Sequence, residues 1–173
     1  MTKEKFNELL HKLQIGDMYA LEPLYNEFHS NMVASAIFIV HNEADADDVA
    51  SEALLKLIAY AKRKKPDDHV LNPGGFMYVI TRTTALDYLR KKRDSLNVED
   101  TEVCATEDLS KQVIDKYDLI RAMSDLTDEE RELAIRHFLF GEKIKEINKD
   151  LDIHYDSIRR KLREIRRKIN GKL

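Results

Sequence analysis

Apolar residues recur at helical spacing along most of the chain, and polar breaks divide them into segments. Phe6, Leu9, Leu10 and Leu13 form a first stripe, closed by Ile15, Gly16 and Asp17. A second apolar segment runs from Leu21 to about Val40. A third opens near Asn42 and carries Ala50, Ala53, Leu54, Leu57, Ile58 and Ala61, the i, i+3, i+4, i+7 mark of one buried helical face. Its basic end, Lys62 to Lys65, suits the negative end of a helix dipole, and Pro66 is placed to stop the helix. The fourth segment starts with Asn72 as cap and Pro73 at the first helical position, where a missing N–H costs nothing. Phe76, Val79, Ile80, Thr83, Leu86 and Leu89 predict its buried stripe, and Arg90, Lys91, Lys92 and Arg93 close it.

The period then lapses. From Asp94 to Asp118 there are eight acids against two lysines, with no sustained apolar repeat before Val113. This reads as a polar, acidic linker. Beyond it, Thr127 and Glu130 have the spacing of a capping box, and Gly141 is placed to end that helix. A short helix over 144–151, a tight turn at Asp152-Ile153-His154 and a basic helix from about Asp156 complete the chain. Ile144, Ile147, Leu151 and Ile153 are spaced to pack against Ile158, Leu162 and Ile165. The fold class is therefore all-α, with two small helical domains at 1–94 and 113–173 and a linker at 95–112.

Composition supports helices, since five Gly and three Pro in 173 residues leave few turn formers. Cys104 is the only cysteine, so no intramolecular disulfide can form. The N-terminus is charged and amphipathic, without the apolar core of a signal peptide. The longest apolar run, Met32 to Val40, is under half the ~20 residues of a membrane span. A soluble, cytoplasmic protein with no membrane association is expected. The six histidines are scattered, and Glu8 with His11 lacks the second copy that a di-iron bundle requires. With no phosphate-binding glycine loop, nucleophile elbow or zinc-type cysteine pattern, no enzymatic activity, cofactor or metal is expected.

Two constellations remain. Net charge is −3, yet seven of the ten residues from Arg159 to Lys168 are Lys or Arg. A solvated basic surface helix would account for the run by itself. The short helix and turn before it favour a helix-turn-helix, whose second helix fits the major groove of duplex DNA. The other constellation is Glu43-Ala-Asp45-Ala-Asp47-Asp48-Val-Ala-Ser-Glu52. Asp47 and Asp48 near a helix start would meet the positive end of the dipole. That leaves the excess of carboxylates unexplained, and a calcium loop would need a mid-loop glycine that is absent. A docking face for a basic partner is the better reading.

In order and spacing, these segments resemble the sigma factors of bacterial RNA polymerase, specifically the small two-domain extracytoplasmic-function (ECF) type. "DADDVASEALLKL" is similar to the polymerase-binding helix of sigma region two, and "FMYVITRTTALDYLRKKR" to its promoter-reading helix. "LTDEERELAIRHFLFGEKIKEINKDLDIHYDSIRRKL" resembles sigma region four without a gap. Ser51, Phe76, Thr83, Asn148 and Asp152 depart from the family pattern, which more often has Gln, Trp, Asn, Ala and Gly there.

The resemblance implies that Asp45, Asp47, Asp48, Ser51 and Glu52 dock on core RNA polymerase. Arg63, Lys64, Phe76, Arg82, Thr83, Arg90, Lys91, Lys92 and Arg93 would engage the minus-ten element of promoter DNA. His154, Tyr155, Ser157, Arg159, Arg160, Lys161, Arg163 and Arg167 would engage the minus-thirty-five element. It implies an alternative sigma factor without chemistry of its own, and admits an anti-sigma factor as a further partner. A stand-alone helix-turn-helix DNA-binding regulator is the alternative, and it leaves the acid-rich helix without a role.

Overall fold

A computed structural model describes residues 1–65, 67–96 and 120–172, apart from the side chains of residues 95 and 96. They are helical, with no strand among them, and fall into two compact units, one up to residue 96 and one from residue 120. The expected linker, apart from its first two residues, and residues 113–119 lie outside the described residues, as do Pro66 and Cys104.

In the first unit, α1 (Lys3–Gln14) starts on Thr2, whose hydroxyl accepts from the Lys5 N–H, and buries Phe6, Leu9, Leu10 and Leu13. It ends at Gly16, where φ is +92° and the N–H reaches the Leu13 carbonyl. Glycine takes this left-handed geometry without a Cβ penalty. A short 3₁₀ turn (Met18–Ala20) leads into α2 (Leu21–Val40). Helix α2 is apolar on more than one side and buries Leu24, Phe28, Met32, Val33, Ala34, Ala36 and Val40. Such a helix is stable only with neighbours around it, and α1, α3 and α4 all pack on it.

Helix α3 (Glu43–Arg63) begins on Asn42, which accepts from the Asp45 N–H at 2.9 Å. Its buried face is the expected one, Ala50, Ala53, Leu54, Leu57, Ile58 and Ala61, extended by Ala46 and Val49. The dipole argument needs correction, because Glu43 and Asp45 occupy the first turn and Asp47 and Asp48 lie beyond it. The loop after α3 is held by α1. Asn7 exchanges two hydrogen bonds with the Val70 backbone, each 2.9 Å, and Gln14 donates to the Lys64 carbonyl at 2.7 Å.

Helix α4 (Pro73–Leu96) starts on Asn72, whose side chain accepts from the Gly75 N–H at 3.0 Å. Its buried stripe differs from the expected one. Met77, Tyr78, Thr81, Thr84 and Ala85 face inward, while Val79, Thr83 and Leu86 are exposed and Phe76, Ile80 and Leu89 are half-buried. Two threonines are tolerated on this inner face. Thr81 Oγ1 donates to the Met77 carbonyl at 2.8 Å and Thr84 Oγ1 to the Ile80 carbonyl at 2.7 Å. With their hydroxyls satisfied one turn back, both pack as small apolar groups.

In the second unit, residues 120–123 are helical and α5 (Asp128–Ala134) follows. Its capping box is formed on both sides, Thr127 Oγ1 accepting from the Glu130 N–H and Glu130 Oε2 from the Thr127 N–H. Helix α5 widens into a π turn over Ile135–Leu139 and stops at Gly141, φ +67°. Arg136 is buried there, held bidentately by buried Glu142 at 2.8 and 2.9 Å and by Asp150 at 2.8 Å. Asp150 lies on α6 (Ile144–Leu151), so this ion pair ties the π turn to the next helix. Breaking one side would strand a buried charge.

Between α6 and α7 (Tyr155–Asn170), Asp152 takes the left-handed conformation at φ 52°, and Asn148 spans the turn by donating to the Ile153 carbonyl at 2.6 Å. Ile147, Ile158, Leu162, Ile165 and Ile169 are buried, while Ile144, Leu151 and Ile153 are half-buried.

One buried group in α2 lacks what Thr81 and Thr84 have. Ser35 Oγ has no hydrogen-bond partner among the described residues. Ser35→Ala is expected to stabilise the protein by about 1 kcal/mol, read as a higher urea midpoint at unchanged slope. A lower midpoint would mean the hydroxyl is satisfied.

Candidate docking face and nucleic-acid surfaces

The five acid-cluster candidates of α3 do not share one environment. Asp45 faces inward and joins the start of α3 to the end of α4, accepting from the Tyr88 hydroxyl at 2.8 Å and from Lys92 Nζ at 2.7 Å. Burial pushes the Asp45 pKa up, but the hydrogen bonds from Lys92 and Tyr88 and the Lys92 charge outweigh it and hold the carboxyl below the ordinary range. Burial and Asp45 together push Tyr88 up to about 12. Asp45 and Lys92, assigned from sequence to two different partners, are thus each other's partner.

Asp47, Asp48 and Ser51 are exposed, and Glu52 is half-buried. Asp47 Oδ1 lies 3.5 Å from His29 Nε2, and the His29 ring stacks on Tyr25 with centroids 4.2 Å apart. Glu52 Oε1 lies 3.8 Å from Lys56 and 3.6 Å from Lys91. Leu55 stands on the same face and is 65% exposed. It sits i+7 from Asp48 and i+4 from Ser51, so helical geometry lines the three up. Sequence reasoning missed Leu55, Tyr25 and His29. The signal for Leu55 was its place outside the otherwise regular apolar stripe of α3.

The minus-ten candidates also separate. Arg63 is exposed and its Nε donates to the Ala59 carbonyl at 3.2 Å. Lys64 is buried, with Nζ 3.4 Å from the Lys65 carbonyl, and offers no open charge. Phe76 is half-buried, 4.8 Å from the Tyr60 ring and 6.1 Å from Phe6 by centroids. Arg82 and Thr83 are exposed and fall in a continuous outer stripe with Val79, 49% exposed, and Leu86, 40% exposed. At the end of α4, Arg90 lies 3.5 Å from Asp87, Lys91 and Lys92 lean on α3, and Arg93 is exposed.

In the second unit, His154 caps α7 and Tyr155 is exposed, while Ser157 is half-buried. Arg159, Arg160, Arg163 and Arg167 are exposed. Lys161 differs, with Nζ 2.9 Å from Glu129 of α5. Arg166, not among the sequence candidates, lies over the Phe138 ring at 5.4 Å.

No helix among the described residues is long and apolar enough to cross a membrane, and no group of His, Cys, Asp or Glu among them could hold a metal ion.

Taken together, these features define an all-α protein whose first unit presents an acidic helix face and a mixed apolar and basic one. Residues 24–95, from α2 to the end of α4, match the family Sigma-70 region 2. The match takes in the acidic face of α3 and the outer stripe of α4, and makes this stretch similar to that family. No curated protein matches the chain.

The clasp between α3 and α4 has a testable sign. A carboxylate whose folded pKa is depressed contributes stability that is full above its unfolded pKa and is lost as pH falls through the folded value. Asp45→Asn is therefore expected to cost roughly 1–2 kcal/mol at neutral pH, a difference that closes as acid protonates Asp45 in the wild type. Urea denaturation of both proteins at neutral and acidic pH measures it. An equal gap at both pH values would contradict the role given to the charge.

Proposed function

We propose that the chain is an alternative sigma factor of the extracytoplasmic-function type, acting in the cytoplasm to bring core RNA polymerase to particular promoters. Docking falls to the outer face of α3, through Asp47, Asp48, Ser51, Glu52 and Leu55. The observation that carries this reading is an acid-rich face that neither the helix cap nor the core uses, inside the segment that matches Sigma-70 region 2. Carboxylates around one exposed leucine suit a basic helical partner with an apolar contact at its centre. Asp45 serves that face indirectly, by fixing α4 against α3.

Promoter reading falls to two surfaces. The stripe Val79, Arg82, Thr83 and Leu86 offers apolar contact for unstacked bases and a cation for phosphate, as single-strand capture needs. In the second unit, α6, the Asp152 turn and α7 make a helix-turn-helix, with α7 entering the major groove at the minus-thirty-five element. The domain boundaries follow the sequence reading, region two at 1–94, a linker at 95–112 and region four at 113–173. The chain supplies promoter specificity and no catalysis, and an anti-sigma factor is a further candidate partner. A stand-alone DNA-binding regulator would need only the second unit and gives the α3 face no work.

Gel filtration with bacterial core RNA polymerase tests the docking assignment. Wild-type chain is expected to co-elute, while Asp48→Arg and Leu55→Asp, both at exposed positions, are expected to weaken binding at least tenfold with helical content unchanged. Co-elution of both variants at wild-type affinity would sink the assignment to α3.

A further inference from the structure

The cations of α7 are sorted by chemistry. The buried stripe of Ile158, Leu162, Ile165 and Ile169 sets the orientation of the helix. Lys161 and Lys168, at i and i+7 on one flank, meet the start of α5, and Lys172, just past the end of α7, meets the segment before α5. Lys161 Nζ lies 2.9 Å from Glu129, Lys168 Nζ lies 2.6 Å from Glu130, and Lys172 pairs with Asp125. Arg160 and Arg167, at i and i+7, stand opposite the buried stripe, with Arg159 and Arg163 beside them. None of these four arginines forms an ion pair among the described residues.

We infer that Glu129 and Glu130 are specificity-determining residues, which withhold the lysines of α7 from DNA phosphates and leave its arginines as the contact surface. This rests on the reading of α7 as a duplex-binding helix. A lysine ammonium binds phosphate as a point charge without regard to sequence, and each one engaged adds to sequence-independent affinity. An arginine fork can also read guanine O6 and N7. To use Lys161 or Lys168, a DNA backbone must break its pair and approach the freed carboxylate, a like-charge contact that works against binding at any sequence.

Glu130 cannot readily swing aside. Its other oxygen closes the capping box on Thr127, and its side chain is 16% exposed. Lys168 and the Thr127 N–H hold its pKa below the ordinary range, so it stays charged at neutral pH. Glu129 is exposed and pairs with Lys161, so the two acids differ in rigidity while acting on the same flank.

The test is fluorescence anisotropy of full-length chain on a labelled random-sequence DNA duplex across a salt series. Glutamine keeps the cap acceptor, so Glu129→Gln with Glu130→Gln leaves the fold intact and removes only charge. The expected result is duplex binding about 3- to 10-fold tighter at low salt, with the slope of log affinity on log salt steeper by about one to two. In a background of Lys161→Ala and Lys168→Ala the gain should vanish. Unchanged affinity, or a gain that persists without the lysines, overturns the inference, the latter because the acids would then act by general repulsion. Wild-type chain with no salt-dependent duplex binding overturns the reading of α7 itself, and the inference with it.

Discussion

Burial of α2 decides what the rest of the first unit can offer a partner. A helix apolar on several sides must be enclosed, and α1, α3 and α4 each give one stripe to enclosing it. Once those stripes are fixed, the outward faces follow from helical geometry. Helix α3 turns Asp48, Ser51 and Leu55 out because Ala50, Leu54 and Leu57 turn in. Helix α4 turns Val79, Arg82 and Thr83 out because Met77, Thr81 and Thr84 turn in. The docking and base-capturing surfaces proposed above are thus complements of one core. Alanines on α3 and threonines on α4 are among the side chains buried in this core.

Charge then organises the surface in a second way. Cations and acids that look separate in sequence are joined in space. Lys92 closes on Asp45, Lys91 on Glu52, Lys161 on Glu129 and Lys168 on Glu130. Exposed pairs of this kind are weak, typically about 0.2–1 kcal/mol, and add little to stability. Their effect is on availability, since a paired lysine is a poorer phosphate ligand than its sequence position suggests. The Asp45 clasp is the exception, because two donors and partial burial make it a structural contact. Arg136 with Glu142 plays the same part in the second unit, buried deeply enough that its worth lies in holding the π turn against α6.

Much of this was legible in the sequence, and the failures have physical causes. The caps at Asn72 and Thr127 and the stops at Gly16 and Gly141 are local chemistry, readable from neighbouring residues. The stripe of α3 was readable because alanine and leucine alternate cleanly with charge. The stripe of α4 was not, because apolar residues lie on both its faces and its three neighbouring threonines all bond back to the helix, whether they face in, as Thr81 and Thr84 do, or out, as Thr83 does. Asp45 and Lys64 were given to partners by the resemblance, from their place in the sequence. Whether a charge is open depends on a side chain 47 positions away in the one case and on the packing of a loop against α1 in the other. The tight turn at Asp152 was anticipated, but the amide of Asn148 that secures it was not.

A photocrosslinking amino acid placed at position 51, in the middle of the exposed α3 face, tests the central claim most directly. Full-length chain carrying it is incubated with bacterial core RNA polymerase and irradiated, beside the same group at position 163 on α7. The account predicts efficient attachment to polymerase from position 51. Attachment from position 163 alone would contradict it and place the contact with polymerase on the second unit.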